Sequence, residues 1–227
     1  MPTCLITGAN RGLGLEFAKQ YAADGWKVIA TCRKPDAAAE LNALEGDIQV
    51  HALDVTDFAE IEALGKKLTG EAIDLLLKNA GVYGPRVVTH DAVDYAAWTD
   101  VLRANAMAPL KMSAVFEPHV AAGKLRRMAA ITSLMGSMAD NVSGGSYIYR
   151  SSKAALNAVM KSLANDLKGK GISVVMLHPG WVRTDMGGPN AKIGASESVA
   201  GMRKVIDGMS VENTGRFMNY DGRELPW

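Results

Sequence analysis

The feature that most restricts the fold of this chain is the alternation of short, continuously apolar runs with longer stretches of helical periodicity. Thr3–Thr7, Lys27–Cys32, Ile48–Leu53, Ile73–Leu77, Met128–Ser133 and Ser173–Leu177 read as strands, and Arg216–Asn219 as a last one. Between them lie the helical patterns Leu13–Ala22, residues 36–44, Phe58–Leu68, Tyr95–Val120, Tyr149–Lys168 and Val199–Met209. A strand with one wet face alternates polar and apolar residues, whereas a strand that is apolar throughout must be covered on both faces. Such strands, separated by helices, predict an α/β fold: a doubly wound parallel sheet of Rossmann type with helices on both faces. No linker, repeat or low-complexity stretch divides the 227 residues, so one domain over residues 1–227 is expected. Pro109 falls inside the longest helical pattern, where its missing N–H predicts a kink.

The first strand and first helix are joined by Thr7-Gly8-Ala9-Asn10-Arg11-Gly12-Leu13-Gly14. Glycines at such a junction permit a tight turn. They also let the backbone approach a pyrophosphate at the helix N-terminus, where free N–H groups and the helix dipole favour anions. The spacing G-x-x-x-G-x-G is a moderate signal by itself, and its position in the first strand–helix unit strengthens it. The second strand ends Thr31-Cys32-Arg33-Lys34, with no acid to hold a ribose 2′-hydroxyl; Asp36 lies past Pro35. Arg33 and Lys34 there, with Arg11 from the turn, suit a 2′-phosphate and favour NADP(H) over NAD. The plainer alternative is that they are ordinary surface charges.

Tyr149 and Lys153 are four residues apart in a strong helical pattern and so share a face. A cation beside a phenol stabilises the phenolate and lowers its pKa toward working pH, as an acid/base group requires. Ser133 closes the fifth strand, and catalytic groups of doubly wound sheets gather at strand carboxyl ends. Asn105 sits mid-helix, where asparagine is a poor helix former. Each of these signals is weak alone: a serine at a strand end is usually a cap, and Tyr-x-x-x-Lys occurs by chance.

Together they carry a resemblance. Over nearly its whole length the chain resembles the short-chain dehydrogenases/reductases, through Thr7–Gly14, Asp54-Val55, Asn79-Ala80-Gly81, Asn105, Ser133, Tyr149–Lys153 and Pro179-Gly180 with Thr184. Within them it is most similar to the short C-factor-like and sniffer-like carbonyl reductases. The resemblance implies NADPH-dependent reduction of a small aldehyde or ketone, reversible as alcohol oxidation, with Tyr149 as acid/base. Lys153 would hold the nicotinamide ribose and lower the Tyr149 pKa. Ser133 would orient the carbonyl, and Asn105 would anchor a water in a proton relay. Gly8, Asn10, Arg11, Gly12, Leu13, Gly14 and Arg33 would hold the phosphates, and Asp54 and Val55 would contact adenine. Asn79, Ala80 and Gly81 would flank the adenosine ribose. Pro179, Gly180, Val182 and Thr184 would meet the nicotinamide end. One departure stands out: Lys78 occupies a place where the family usually has a second asparagine. A lysine ending a buried strand is costly unless it snorkels outward or meets an acid, Asp74 or Asp100.

The family's substrate lid corresponds to the stretch from Met186 to Val199, which is short and contains Gly187-Gly188-Pro189 and Gly194. An open, permissive site is expected, lined by Met135, Ser137, Met138, Tyr147, Trp181, Met186 and Tyr83. The helix Tyr149–Lys168 is apolar over more than one face, which predicts a homo-oligomer, dimer or tetramer. A net charge of +1 offers no footprint for nucleic acid or an acidic membrane. No apolar stretch is long enough to span a bilayer, and cysteine or histidine spacing suggests no metal site. With Cys4 and Cys32 reading as buried thiols and the first strand starting at Thr3, a cytoplasmic protein without a leader is expected. The rival reading is a signalling or regulatory protein of C-factor type that binds NADP(H) with little turnover.

Overall fold

The computed structural model describes residues 1–86 and 89–227. Its strands are β1 (Thr3–Thr7), β2 (Lys27–Cys32), β3 (Ile48–Ala52), β4 (Leu75–Lys78), β5 (Arg127–Ile131), β6 (Ser173–His178) and β7 (Arg216–Asn219). Its helices are α1 (Gly12–Ala23), α2 (Ala39–Asn42), α3 (Phe58–Lys67), α4 (Tyr95–Leu102), α5 (Ala108–Ala122), α6 (Tyr147–Lys168) and α7 (Ala195–Asp207). The strands form one parallel sheet in the order β3-β2-β1-β4-β5-β6-β7, the doubly wound arrangement expected from the apolar runs.

Burial follows position in that order. Central β1 and β4 are buried along their whole length, whereas β3, at the edge, is only partly covered. Successive strand residues point to opposite faces, and two cores result. On one face Ile6 and Leu77 pack with Phe17 and Tyr21 of α1 and Met202 and Ile206 of α7. On the other, Leu5, Leu76 and Met128 pack with Ile61 of α3, Phe116 of α5 and Met160 of α6. Cys4 and Cys32 are buried free thiols. From β1 the chain winds outward in both directions, so the strand order reverses between β1 and β4. A crevice opens at such a switch point, above the strand carboxyl ends.

The long helical pattern Tyr95–Val120 is not one helix. α4 ends at Leu102, a π-helical turn covers Arg103–Met107, and α5 resumes with Pro109 in its first turn. A first turn needs no N–H from proline, and the wide turn before it absorbs the mismatch. Residues 36–44 hold a 3₁₀ turn, Pro35–Ala37, followed by the single turn of α2. The fourth strand starts at Leu75, and just ahead of it the Asp74 side chain ties three segments together: it accepts from Thr3 N (2.9 Å), Lys124 N (2.8 Å) and Leu125 N (3.1 Å).

Lys78 neither snorkels nor meets an acid. Asp74 is committed to those amides, and Asp100 lies exposed on α4. Lys78 is 3% exposed. Its Nζ donates to Ser113 Oγ at 2.9 Å and sits 3.5 Å from Met160 Sδ. Burial with no carboxylate to compensate lowers its pKa to about 7.

Candidate active site

The crevice is built first by the glycine turn. Gly8 and Gly12 have φ of +67° and +54°, left-handed values that glycine adopts freely. A Cβ on Gly14 would stand 2.2 Å from Gly8 O, so only glycine lets α1 pack that close to β1. Asn79, just past β4, locks the turn: its Nδ2 donates to Thr7 O (3.0 Å) and Gly8 O (3.1 Å). Thr7 Oγ1 in return accepts from Asn79 N (3.0 Å) and Ala80 N (3.1 Å). α3 and α4 are capped by the carboxylates of Asp57 and Asp94. α1 has Arg11 at its N-cap and no side-chain acceptor, which leaves its first N–H groups facing the crevice. Asn10 is exposed on the turn and Leu13 half-buried against the core.

At the end of β2, Arg33 and Lys34 are both exposed, and Asp36 lies in the 3₁₀ turn beyond them. Asp54 follows β3; hydrogen bonds from Thr56, helped by nearby Arg33, hold its carboxyl below the usual range. Val55 beside it is half-buried. Arg11 does not stand free as a second phosphate ligand: it pairs with Asp185 at 3.1 Å, tying the glycine turn to the segment after β6. There, Pro179 O accepts from Ser198 Oγ (2.6 Å), Gly180 turns with φ +80°, and Val182 is buried. Thr184 faces Gly12 across the crevice, its Cγ2 3.6 Å from where a Cβ on Gly12 would stand.

The polar residues expected to act together do come together. Ser133 lies just past β5, where its Oγ accepts from Met135 N (3.2 Å) at the start of a short 3₁₀ turn. Tyr149 and Lys153, one turn apart on α6, are 7% and 6% exposed. Lys153 Nζ donates to Ile131 O (2.9 Å) and sits 5.7 Å from the Tyr149 ring centre. Asn105 lies in the π-turn. Its Oδ1 accepts from Val82 N (2.9 Å), and its Nδ2 donates to Val82 O (2.8 Å) and Ser152 Oγ (3.0 Å). A Cβ on Gly81 would stand 3.1 Å from Asn105 Oδ1 and 3.6 Å from Lys153 Nζ, so the segment after β4 runs between these groups.

The electrostatics differ from the simple expectation for a tyrosine beside a lysine. Burial pushes the Tyr149 phenol up to about 12, and a hydrogen bond with Ser133 opposes the rise. Lys153 is drawn toward Ile131 O and does not offset it. Burial lowers Lys153 itself to about 8.

The walls contain two residues that sequence patterns alone did not single out, Ser152 and Arg86, beside the lining candidate Tyr83. Ser152 links Asn105 to α6 and donates to Tyr149 O (2.8 Å); its place three residues after Tyr149 was the available signal. Tyr83 stacks on Tyr149, and Arg86 donates to Met186 O (2.9 Å). Of the other lining candidates, Met135 approaches Tyr83 (3.9 Å) and Met186 the Tyr149 hydroxyl (4.0 Å). Met138, Tyr147 and Trp181 are exposed, and Ser137 is buried, bonding Trp227 O. The short lid segment is held down rather than loose: Trp181 Nε1 donates to Gly187 O (2.8 Å), and Lys192 N to Trp181 O (3.0 Å). No helix among the described residues is long and apolar enough to cross a membrane.

Comparison with known proteins converges on one group. A family model described as short chain dehydrogenase matches residues 2–193. C-signal of Myxococcus xanthus is 49% identical over 155 residues, covering 68% of this chain and 93% of that protein. The carbonyl reductase Sniffer of D. melanogaster superposes with a TM-score of 0.94 at 33% identity, covering 100% of both chains. An NADPH-bound carbonyl reductase from chicken fatty liver gives 0.91 at 35% identity, covering 100% of this chain and 99% of that one.

Proposed function

The chain belongs to the short-chain dehydrogenase family, and on that premise we propose that it reduces a small aldehyde or ketone, reversibly, with Tyr149 as the acid/base. It is an NADP-dependent oxidoreductase. The crevice has what such a dinucleotide needs: an uncapped α1 N-terminus, a turn without a Cβ at positions 8, 12 and 14, and a β2 end carrying Arg33 and no acid. NADPH, when bound, supplies the hydride.

The observation that carries the reading is the meeting of Asn105, Ser133, Tyr149 and Lys153, brought from the π-turn, the end of β5 and α6 to one crevice. In this reading Tyr149 gives its proton to the carbonyl oxygen as charge develops there, and Ser133 donates a hydrogen bond to the same oxygen. Lys153 keeps a positive charge near the phenol and binds the nicotinamide ribose. Asn105 holds the Gly81–Val82 backbone and anchors a water that refills the proton. Gly8, Asn10, Gly12, Leu13, Gly14 and Arg33 hold the phosphates, while Arg11 braces the turn through Asp185; Asp54, Val55, Asn79, Ala80 and Gly81 hold the adenosine. Pro179, Gly180, Val182 and Thr184 border the nicotinamide. Tyr149→Phe is expected to cut carbonyl-dependent NADPH oxidation by about 10²–10⁴-fold. Full activity in that variant would sink the assignment.

The likeness to C-signal favours a second reading, a regulatory protein that binds NADP(H) with little turnover. Tight NADPH binding with no oxidation across a broad carbonyl panel would select it. A cytoplasmic location suits the two buried free thiols. Ala155, Val159 and Leu163 of α6 are only half-buried, Val159 and Leu163 at the margin of the core, and the apolar area they leave suits a homo-oligomer, which sedimentation would register as a dimer or tetramer.

A further inference from the structure

Beside Tyr149 stands a cation that no acid among the described residues neutralises. Tyr83 lies flat against Tyr149, with ring centres 4.2 Å apart and planes at 16°. Its hydroxyl is 3.3 Å from Ser146 Oγ. Ser146 has φ +48°, a strained value for a residue with a side chain, and its hydroxyl does not cap α6. Tyr83 is therefore a fixed wall rather than a passing surface ring. Tyr149 stacks on the ring at van der Waals distance, and the Arg86 guanidinium stands 5.0 Å from the same ring centre. Arg86 spends one N–H on Met186 O (2.9 Å) and pairs with no carboxylate among the described residues, whereas Arg11 is matched by Asp185.

We propose that Arg86 is the anchor for a carboxylate on the substrate, so that the preferred substrates are aldehydes or ketones bearing an acid at their far end. The inference rests on the reductase reading given above. A guanidinium presents five donors in a planar fork that fits a carboxylate bidentately, and most of that fork is uncommitted here. Met186 links the two groups: its backbone O accepts from Arg86 (2.9 Å) and its Sδ lies 4.0 Å from the Tyr149 hydroxyl, so guanidinium and phenol sit at the two ends of one methionine. One aromatic ring between the carbonyl and the acid spans that interval. Met135 and Met186 offer it soft apolar contact on the way.

The test compares 4-formylbenzoate with its methyl ester as substrates for the NADPH-loaded protein. The wild type is expected to favour the acid by about tenfold in kcat/KM. That ratio falls to about one in Arg86→Met, drops below one in Arg86→Glu, and shrinks in the wild type as salt is raised. A wild-type ratio at or below one overturns the anchor. So does a ratio unchanged in Arg86→Met, the outcome if Arg86 only holds Met186 in place and both substrates suffer alike. Turnover of the ester without preference defeats the anchor and leaves the reductase reading standing. Absence of turnover for both aldehydes, with NADPH bound, defeats that reading and the anchor with it.

Discussion

Lys78 and Lys153 are both buried, both lack a carboxylate partner among the described residues, and are both lowered in pKa by the same cause, desolvation. What separates them is what each amine faces. Lys153 looks into the crevice, against Ile131 O, the Gly81 backbone and the Tyr149 ring. Lys78 looks into the core between β4 and α5, against Ser113 and the Met160 sulfur. Ser113 is itself tied to Pro109 O at 2.8 Å, so the Lys78 contact closes on itself within the fold. A perturbed lysine therefore marks a site only when its neighbours include groups that a substrate can reach.

The strongest way to break this contrast is to remove each charge in turn. Lys153→Met is expected to lower kcat/KM for carbonyl reduction by about 10²–10³-fold, since the phenol then loses its cation. The titration gives a companion outcome in the wild type. Lys153 is charged below about pH 8 and neutral above it. The kcat/KM for NADPH, which reports the free protein, should therefore fall as pH rises through that value. A profile flat from neutral to strongly basic pH would detach Lys153 from the chemistry.

Lys78→Met should act on stability instead. In the unfolded chain the lysine holds its proton up to its ordinary pKa near 10.5, while in the fold it releases it at about 7. Between those limits the unfolded state binds more protons, so the stability of the wild type rises with pH across that window, by about 1.4 kcal/mol per pH unit at most. Below pH 7 both states are protonated and the slope vanishes. Methionine, close in length and set beside Met160, removes the desolvation penalty. The variant should melt about 5 °C or more above the wild type at neutral pH, with a flat pH dependence, and should keep turnover. A lower Tm at neutral pH would show that the Ser113 contact outweighs the buried charge.

The sheet and the crevice were legible in the sequence because both are written locally. Continuous apolar runs bounded by turns can only be covered strands, and a glycine turn at the first strand–helix junction can be read residue by residue. What could not be read depends on contacts between distant segments. The partner of Lys78 is Ser113 on α5, thirty-five residues away, not one of the acids nearer in sequence. Asn105 was noticeable as a poor helix former, but its pairing with the Val82 backbone needs the fold. Tyr83, Ser146 and Arg86 meet at the site through loop geometry, including a left-handed serine that no pattern announces. Burial also reversed one local expectation. The lysine one turn from Tyr149 suggested a lowered phenol, and desolvation raises it instead.

The smallest expected effect concerns a cation that is not buried at all. Arg33 is exposed at the end of β2, and its neighbour Asp54 is already engaged by the Thr56 amide (2.9 Å) and hydroxyl (2.7 Å). No ion pair among the described residues holds Arg33, so its fork remains open to a phosphate, unlike that of Arg11, which Asp185 occupies. An exposed cation in high dielectric contributes far less than a desolvated one. Arg33→Ala should accordingly weaken NADPH binding by about tenfold relative to NADH, through the 2′-phosphate that only NADPH carries. Titrating both cofactors into both proteins measures that ratio directly. If the two affinities fell together, Arg33 would be shaping the adenosine pocket through Asp54 rather than reading the phosphate, and the discrimination between the cofactors would have to reside elsewhere on the crevice.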